Sequence, residues 1–378
     1  MTKPDQELYN NLKQIRLRLG MSQQDLATRA RVSRQTIGGI EARQYAPSTA
    51  VALRLAKVLG CQVEDLFWLD QDIPEIETIP VADTPINQKL RLSLARVGGR
   101  WIAHPLVANN AFRLEMVSAD GEGIYRGDSA PMRVKLLEDL EKLHQTVVLA
   151  GCTPAISLWA RAAELWHPEL RVHWTFDNSM SALYRLSRGE VHFAGVHLYD
   201  EVTNEHNIPF IKAVLGNTPV VVINLGIWEE GLLIQGGNPF GITSVADLLQ
   251  TGVKIVNREE GAGSRQVLER SLRKVGIEFD CVKGFHDIVY GHLQVAQAVA
   301  SGKATAGVST ASVAATFGLD FIPLHRSRYD LVVLKSYLDE APIQQLLSTL
   351  GHRRVLSQLE ALGGYDTSQT GEVIVTLE

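Results

Sequence analysis

The chain lacks the features of a secreted, membrane-spanning or disulfide-stapled protein. Its 378 residues include only three cysteines, Cys61, Cys152 and Cys281. They lie far apart, without the paired spacing of a disulfide framework or a zinc site. They read as reduced, mostly buried thiols, and no metal site is expected from spacing. No apolar run approaches the roughly 18 residues that a membrane-spanning helix needs. The opening segment, MTKPDQELYNNLKQ, has no signal-peptide core. A cytoplasmic location with no membrane partner is therefore expected. Tandem repeats and low-complexity segments are also missing, which argues against a solenoid or a disordered tail.

What is present is unevenly charged. The formal net charge is −5, yet residues 1–60 hold ten Lys/Arg against four Asp/Glu. The head is thus +6 and the remainder −11. A basic head on an acidic body fits a head that meets phosphate, with strongly salt-dependent affinity. The length predicts two or three domains.

The head carries a motif across residues 22–43. Ser22 is placed to cap a helix opening with Gln23, Gln24 and Asp25. Leu26, Ala27 and Ala30 give that helix its apolar face. Arg31 and Val32 make a turn. Ser33 then caps a second helix, with Arg34, Gln35 and Thr36 at its N-terminus and Ile37 and Ile40 inward. A leading helix through Leu12, Ile15, Leu17 and Leu19 stops at Gly20. Ser48 opens another, through Leu53, Leu55, Ala56 and Leu59 to Gly60. Val63, Leu66 and Phe67 close the bundle.

This pattern resembles the Cro/repressor-type (XRE family) helix-turn-helix. The resemblance implies that the second helix enters the major groove of double-stranded operator DNA. There Arg can pair with guanine, Gln with adenine, and Thr with either or with a thymine methyl. Candidate DNA-binding residues are Gln23, Gln24, Ser33, Arg34, Gln35, Thr36 and Arg43. A homodimer is expected, because one such head contacts one half-site. Gly38 and Gly39 depart from the pattern; they either permit close approach to DNA or are simply tolerated in the helix.

Residues 70–88, with prolines beside acidic side chains and no helical period, read as a linker. Alternating runs at 90–97 and 100–104 flank Gly98–Gly99, the signature of a two-residue hairpin turn. Residues 112–116 and 132–136 read as further strands. From residue 145, strands and helices alternate. Strands are expected at 146–150, 172–176, 192–196, 220–223, 232–234 and 253–256, and helices at 267–275 and 293–300. Alternation predicts an α/β fold with parallel sheets, large enough for two lobes. The expected fold class is multidomain: an all-α helix-turn-helix bundle (1–70), a linker and small β-rich connector (71–144), and a two-lobed α/β clamshell (145–378).

Within the last part, residues 257–265 (NREEGAGSR) follow a buried strand and open a helix. A glycine-rich turn there presents free backbone N–H groups at the positive end of the helix dipole. Ser264 adds a hydroxyl and Arg265 a charged fork, so the turn is a candidate anion site. No Gly-Lys-Ser/Thr follows, so it is not a P-loop. Thr153 and Ser179 occupy two similar strand-to-helix turns, where ligands of open α/β sheets bind.

The segments GCTPA (151–155), GEVHFAGVHLYD (189–200), GLLIQGGNPFGI (231–242), VNREEGAGSR (256–265), RYDLVV (328–333) and LGGYDTSQTG (362–371) carry a second resemblance. From about residue 147 the chain is similar to periplasmic-binding-protein-like domains related to molybdate- and tungstate-binding proteins. The resemblance implies two lobes closing on a small anionic ligand, an oxyanion such as molybdate or tungstate acting as effector. It carries Thr153, Ser179, Ser264, Arg265 and Tyr329 over as ligand-facing. Departures bear on the ligand rather than the fold. Trp228-Glu229-Glu230 stand where Arg-x-Gln is usual, which removes a cation and adds a carboxylate near the hinge. His197, His286 and His292 lack metal-site spacing and read as structural. No catalytic arrangement is visible, so an enzyme is not expected. The expected function is a one-component transcriptional regulator. The alternatives are a solute-binding or storage protein with a docking head, and an enzyme on an anionic substrate using Arg265 and His292.

Overall fold

The computed structural model describes residues 8–61, 63–69, 75–107, 117–127 and 131–378. The chain divides into two units, Met1–Pro74 and Glu75–Glu378. The strand expected at 112–116 lies outside the described residues.

The first unit runs β1 (Leu8–Asn10), α1 (Leu12–Arg18), α2 (Gln23–Ala30), α3 (Arg34–Glu41), α4 (Thr49–Leu59), α5 (Val63–Leu66) and β2 (Phe67–Leu69), with β1 and β2 antiparallel. Local chemistry sets its boundaries. Ser22, Ser33 and Ser48 each accept the backbone N–H three residues on, and Asp25 returns a bond to Ser22 N–H to complete a capping box. Arg31 adopts φ 57° to end α2, and Gly60 adopts φ 70° to end α4. Leu12, Leu26, Ala27, Ile37, Ile40, Leu55 and Leu66 form the core.

The second unit opens with a closed barrel in the order β3-β5-β4-β6-β7. Its strands are β3 (Glu75–Pro80), β4 (Lys89–Val97), β5 (Arg100–Pro105), β6 (Gly121–Ile124) and β7 (Met132–Leu136). Gly98 and Gly99, at φ 55° and 78°, form the expected tight turn between β4 and β5. The linker expectation for 70–88 needs correction at its centre. Residues 75–80 are a barrel strand, parallel to β5 and antiparallel to β7. Closure satisfies this edge, and Thr78 is buried and donates to Met132 O at 3.1 Å.

A short α6 (Leu140–Leu143) leads into the first lobe: β8 (Thr146–Gly151), α7 (Ala155–Trp166), β9 (Arg171–Phe176), α8 (Ser179–Ser187) and β10 (Phe193–Val196). β8 pairs in parallel with both β9 and β10. A small ribbon, β11 (Tyr199–Asp200) with β12 (Glu205–His206), precedes α9 (Ile208–Leu215) and the long β13 (Val220–Ile234). The second lobe holds β14 (Ile255–Arg258), α10 (Gly263–Lys274), β15 (Ile288–Val289), α11 (Gly291–Ala300), β16 (Ala306–Thr310) and α12 (Ala311–Phe317). β17 (Asp320–Leu334) returns to the first lobe, which α13 (Ala341–Ser348), α14 (Arg353–Ala361), β18 (Tyr365–Asp366) and β19 (Val373–Leu377) complete.

The runs at 220–223 and 232–234, expected as separate strands, are two ends of β13. This strand pairs antiparallel with β17 from Val220↔Leu334 to Ile234↔Asp320. The polar stretch between them is not a loop, because cross-strand pairing carries the backbone through it. β13 and β17 are therefore the two strands shared by both lobes. Register shifts at Asn224/Gly226 and Glu230/Gly231 mark where they bend. Separate apolar clusters fill the first lobe, around Trp159, Phe193 and Leu331, and the second, around Leu232, Leu268 and Phe285.

Candidate functional site

The helix-turn-helix presents its candidate residues unevenly. Arg34 and Gln35 are exposed on the first turn of α3, and Gln24 is exposed on α2. Ser33 and Thr36 spend their hydroxyls on each other at 2.8 Å, and Ser33 Oγ also accepts Thr36 N–H at 2.9 Å. Their first role is therefore to fix the helix start. The Gln23 amide donates to Glu41 Oε2 at 2.9 Å, which turns it toward a buried pair. In that pair Arg16 donates to both Glu41 oxygens, at 2.6 and 3.0 Å. Arg43, at φ 55°, lays its guanidinium 4.4 Å above the Tyr9 ring and remains exposed. Gly39 has a packing reason: a Cβ there would run into the Tyr45 ring, whose hydroxyl donates to Thr36 O at 3.2 Å.

In the second unit, Ser179 and Tyr329 touch His197 directly, Ser264 reaches it through Glu230, and Thr153 follows its neighbour Cys152. His197 follows β10 in the first lobe and is 3% exposed. Its N–H donates to Ser179 Oγ at 3.1 Å. Its ring stacks on Tyr329 at 5.6 Å and lies 4.9 Å from Trp228. Tyr329 in turn accepts Cys152 N–H at 3.3 Å, and Thr153 Oγ1 lies 2.8 Å from Tyr365 Oη. Ser264 reaches the same point from the second lobe through Glu230, to which its hydroxyl donates. Glu230 sits at the β13 bend and is fully buried. It also accepts from Ser327 of β17, and its Oε2 lies 3.2 Å from His197 Nδ1.

The approach is close. A Cβ on Gly263, the first residue of α10, would meet the His197 carbonyl and ring. The lobes also meet at Asn178 Nδ2, which donates to Glu260 O at 3.2 Å. Gly195 lies so near the Tyr329 hydroxyl that a methyl has no room there. Gly195→Ala should therefore cost about 1–3 kcal/mol through overpacking. A lowered thermal midpoint of the full chain, with Tyr329→Phe restoring part of it, is the expected measurement.

Arg265 is not at this centre. Its Nε donates to Glu269 at 2.8 Å, one turn along α10, and Nη1 donates to Arg258 O at 3.3 Å. Its guanidinium is thus held between its own helix and the end of β14. The guanidinium brought to the centre is Arg258, at the end of β14 and 1% exposed. It donates to both Glu259 oxygens, at 2.8 and 2.7 Å, while its Nη1 has no partner. Burial works against the Arg258 charge, and Glu259, Cys152 and Glu230 outweigh it. Burial likewise opposes the His197 charge, yet Cys152 and Glu230 push its pKa up to about 10. Burial alone would raise the Glu230 pKa, but His197 and the Ser264 hydroxyl hold it well below the usual carboxylate range.

Sequence spacing did not place Cys152, His197 and His292 together. The fold does, with one ligand-capable atom from each within 4.8 Å of the others. Spacing suggests no metal ligand set; the fold nonetheless brings three ligand-capable side chains together. The available signal was position: Cys152 and His197 each follow a buried strand, and His292 opens a helix.

Among the described residues, no helix is long and apolar enough to cross a membrane. The pattern of the PBP superfamily domain matches residues 160–351, and that of a helix-turn-helix matches residues 12–66. YvgK of Bacillus subtilis (strain 168), itself uncharacterized, is 35% identical over 200 residues, which make up 53% of this chain. The chain spans 64% of that relative's length. The uncharacterized HTH-type transcriptional regulator YgzD of the same organism is 40% identical over 65 residues, 17% of this chain and 98% of YgzD. An ABC-type phosphate transport receptor from Vibrio cholerae matches with a TM-score of 0.40 and 14% identity, over 58% of this chain and 98% of that one. The chain belongs to the PBP superfamily, and it joins a helix-turn-helix DNA-binding domain to a PBP-like ligand-binding domain.

Proposed function

We propose that the protein is a one-component transcriptional regulator that reads operator DNA through α3 and senses a small ligand between the lobes of its second unit. The observation that carries this reading is the presence, in one chain, of an exposed Arg34–Gln35 helix start and a buried polar centre spanning two lobes. Arg34 and Gln35 are the base-reading residues. Gln24 and Arg43 contact phosphate, and Ser33 and Thr36 set the helix angle. The protein acts as a homodimer in the cytoplasm, one head per half-site. Ligand binding shifts DNA affinity by favouring one arrangement of the lobes, a coupling typically about 1–3 kcal/mol.

An oxyanion such as molybdate or tungstate is the proposed effector, held by the hydroxyls of Thr153, Ser179, Ser264 and Tyr329. The unpartnered N–H groups of Arg258 Nη1 and Trp228 Nε1 support it, because both are buried donors without an acceptor. Glu230 competes with such a ligand for Ser264 and Ser327.

Mobility shifts on DNA upstream of the gene, with and without molybdate, tungstate, phosphate and sulfate, test the reading. Arg34→Ala and Gln35→Ala are each expected to weaken specific binding by about 1–3 kcal/mol, roughly 5- to 150-fold, with little change on unrelated DNA. Absence of a specific complex under every condition would remove the regulator reading.

A further inference from the structure

We propose that Cys152, His197 and His292 form a binding site for a thiophilic divalent cation of the zinc class, bridging the two lobes. Cys152 and His197 belong to the first lobe and His292 to the second. All three are buried, at 1%, 3% and 1% exposure. Thiolate and imidazole are the ligand types that such cations prefer.

On His292 the hydrogen bonds leave the ligand atom free. His292 Nδ1 lies 3.0 Å from Ser309 Oγ, and that hydroxyl donates to His292 O at 3.4 Å. Nδ1 is therefore the protonated nitrogen, donating to Ser309. Nε2 keeps its lone pair, is buried, and has no partner. On His197 both nitrogens are engaged, and the cation would replace the proton held between Nε2 and Cys152 Sγ. Nδ1 faces Glu230 Oε2 at 3.2 Å, and Nε2 faces Cys152 Sγ at 3.1 Å. A carboxylate behind a ligating imidazole fixes its tautomer and strengthens it as a ligand.

The dimensions also agree. A tetrahedral zinc ion holds its S and N ligands roughly 3.3–3.6 Å apart. The Cys152–His197 pair stands within a few tenths of an ångström of that separation. The trio, all within 4.8 Å, needs at most a shift on the order of 1 Å. Charge balances as well: the Cys152 thiolate and Glu230 together offset a 2+ ion. Three protein ligands leave a fourth position open for water or an exogenous group.

The site rests only on the cleft being a ligand site, and it is tested without DNA. The probe is cobalt(II), added to the chelator-treated full chain carrying Cys61→Ser and Cys281→Ser. Saturable visible bands of tetrahedral cobalt and a thiolate charge-transfer band, both erased by stoichiometric zinc, are expected. Cys152→Ser should abolish the charge-transfer band. His292→Gln and Glu230→Gln should each weaken binding by roughly 10- to 100-fold or more, with circular dichroism unchanged. No saturable band, or a charge-transfer band surviving Cys152→Ser, overturns the site. If Cys152→Ser does not fold, unchanged affinity in His292→Gln overturns it instead. Glu230→Gln also separates this site from the oxyanion reading: it weakens a cation and strengthens an anion. Failure of the titration leaves the operator experiment as an independent test of the regulator.

Discussion

Lowering the pH from 6.5 to 4 should cost the second unit about 3 kcal/mol through His192 alone, and His192→Gln should remove that loss. His192 is 1% exposed and ties the barrel to the first lobe. Its Nδ1 accepts Val148 N–H of β8 at 2.9 Å, so its Nε2 carries the proton and donates to Arg96 O of β4 at 3.2 Å. Burial lowers its pKa to about 4, although the bond to Arg96 favours the charged form. The sign follows from the two states. Between about pH 6.5 and 4 the unfolded chain binds the proton and the folded chain does not. The His192 contribution is thus complete above the unfolded pKa and is lost as pH falls through this window. The gap between an unfolded pKa near 6.5 and a folded one of about 4 corresponds to about 3 kcal/mol. His104, also fully buried and beside His173, is lowered by burial and adds in the same direction. Asp177 opposes both. Burial raises its pKa to about 6 despite Arg185, so acidification between about pH 6 and 4 relieves a strained charge. The wild-type curve mixes these terms, but Asp177 is common to both proteins. Glutamine can keep both His192 hydrogen bonds without taking a proton. Thermal midpoints of wild type and His192→Gln across pH 4–7 are the measurement. Parallel curves would show that His192 does not carry the acid sensitivity.

Local chemistry was legible in the sequence, and long-range geometry was not. Ser22, Ser33, Ser48 and the Gly98–Gly99 pair announce their structures within four residues, because a cap or a tight turn is decided by its neighbours. β3 was hidden because its partners, β5 and β7, lie further along the chain, and Pro80 with Pro74 and Pro85 on either side suggests a linker. β13 was split by Asn224, Gly226, Glu229 and Glu230, which no apolar pattern joins. Only pairing with β17, about a hundred residues later, makes them one strand.

The candidate site followed the same division. Thr153, Ser179 and Ser264 were readable as turn hydroxyls. For Arg265 the sequence also offered a partner: Glu269 stands one helical turn away, the spacing of a surface ion pair. Arg258 closes a buried strand and has no such outlet, so its charge stays inside with Glu259. Glu230 drew notice as a departure from a family pattern, but its partners come from Ser264, Ser327 and His197 in three separate segments. No spacing rule reaches across them.

Arg16→Met should destabilise the helix-turn-helix by about 3–5 kcal/mol, a large share of what a bundle this small can hold. Arg16 and Glu41 expose only 7% and 5% of their side chains. Arg16 joins α1 to the end of α3 through both Glu41 oxygens, and donates as well to Met21 O at 2.7 Å. Removing it leaves Glu41 buried with Gln23 as its remaining side-chain partner. A buried charge without its counter-charge is costlier than no charge, so the double variant Arg16→Met/Glu41→Leu should recover most of the loss. Hydrogen exchange in the full chain reads the effect within this unit. Amides of α1 and α3 should exchange roughly 10²- to 10⁴-fold faster in Arg16→Met, and near the wild-type rate in the double variant. Operator affinity should fall with the single substitution, because the pair holds the end of the helix whose first turn carries Arg34 and Gln35. If the single and double variants exchange equally fast, the Arg16 contribution lies in side-chain packing and not in neutralising Glu41.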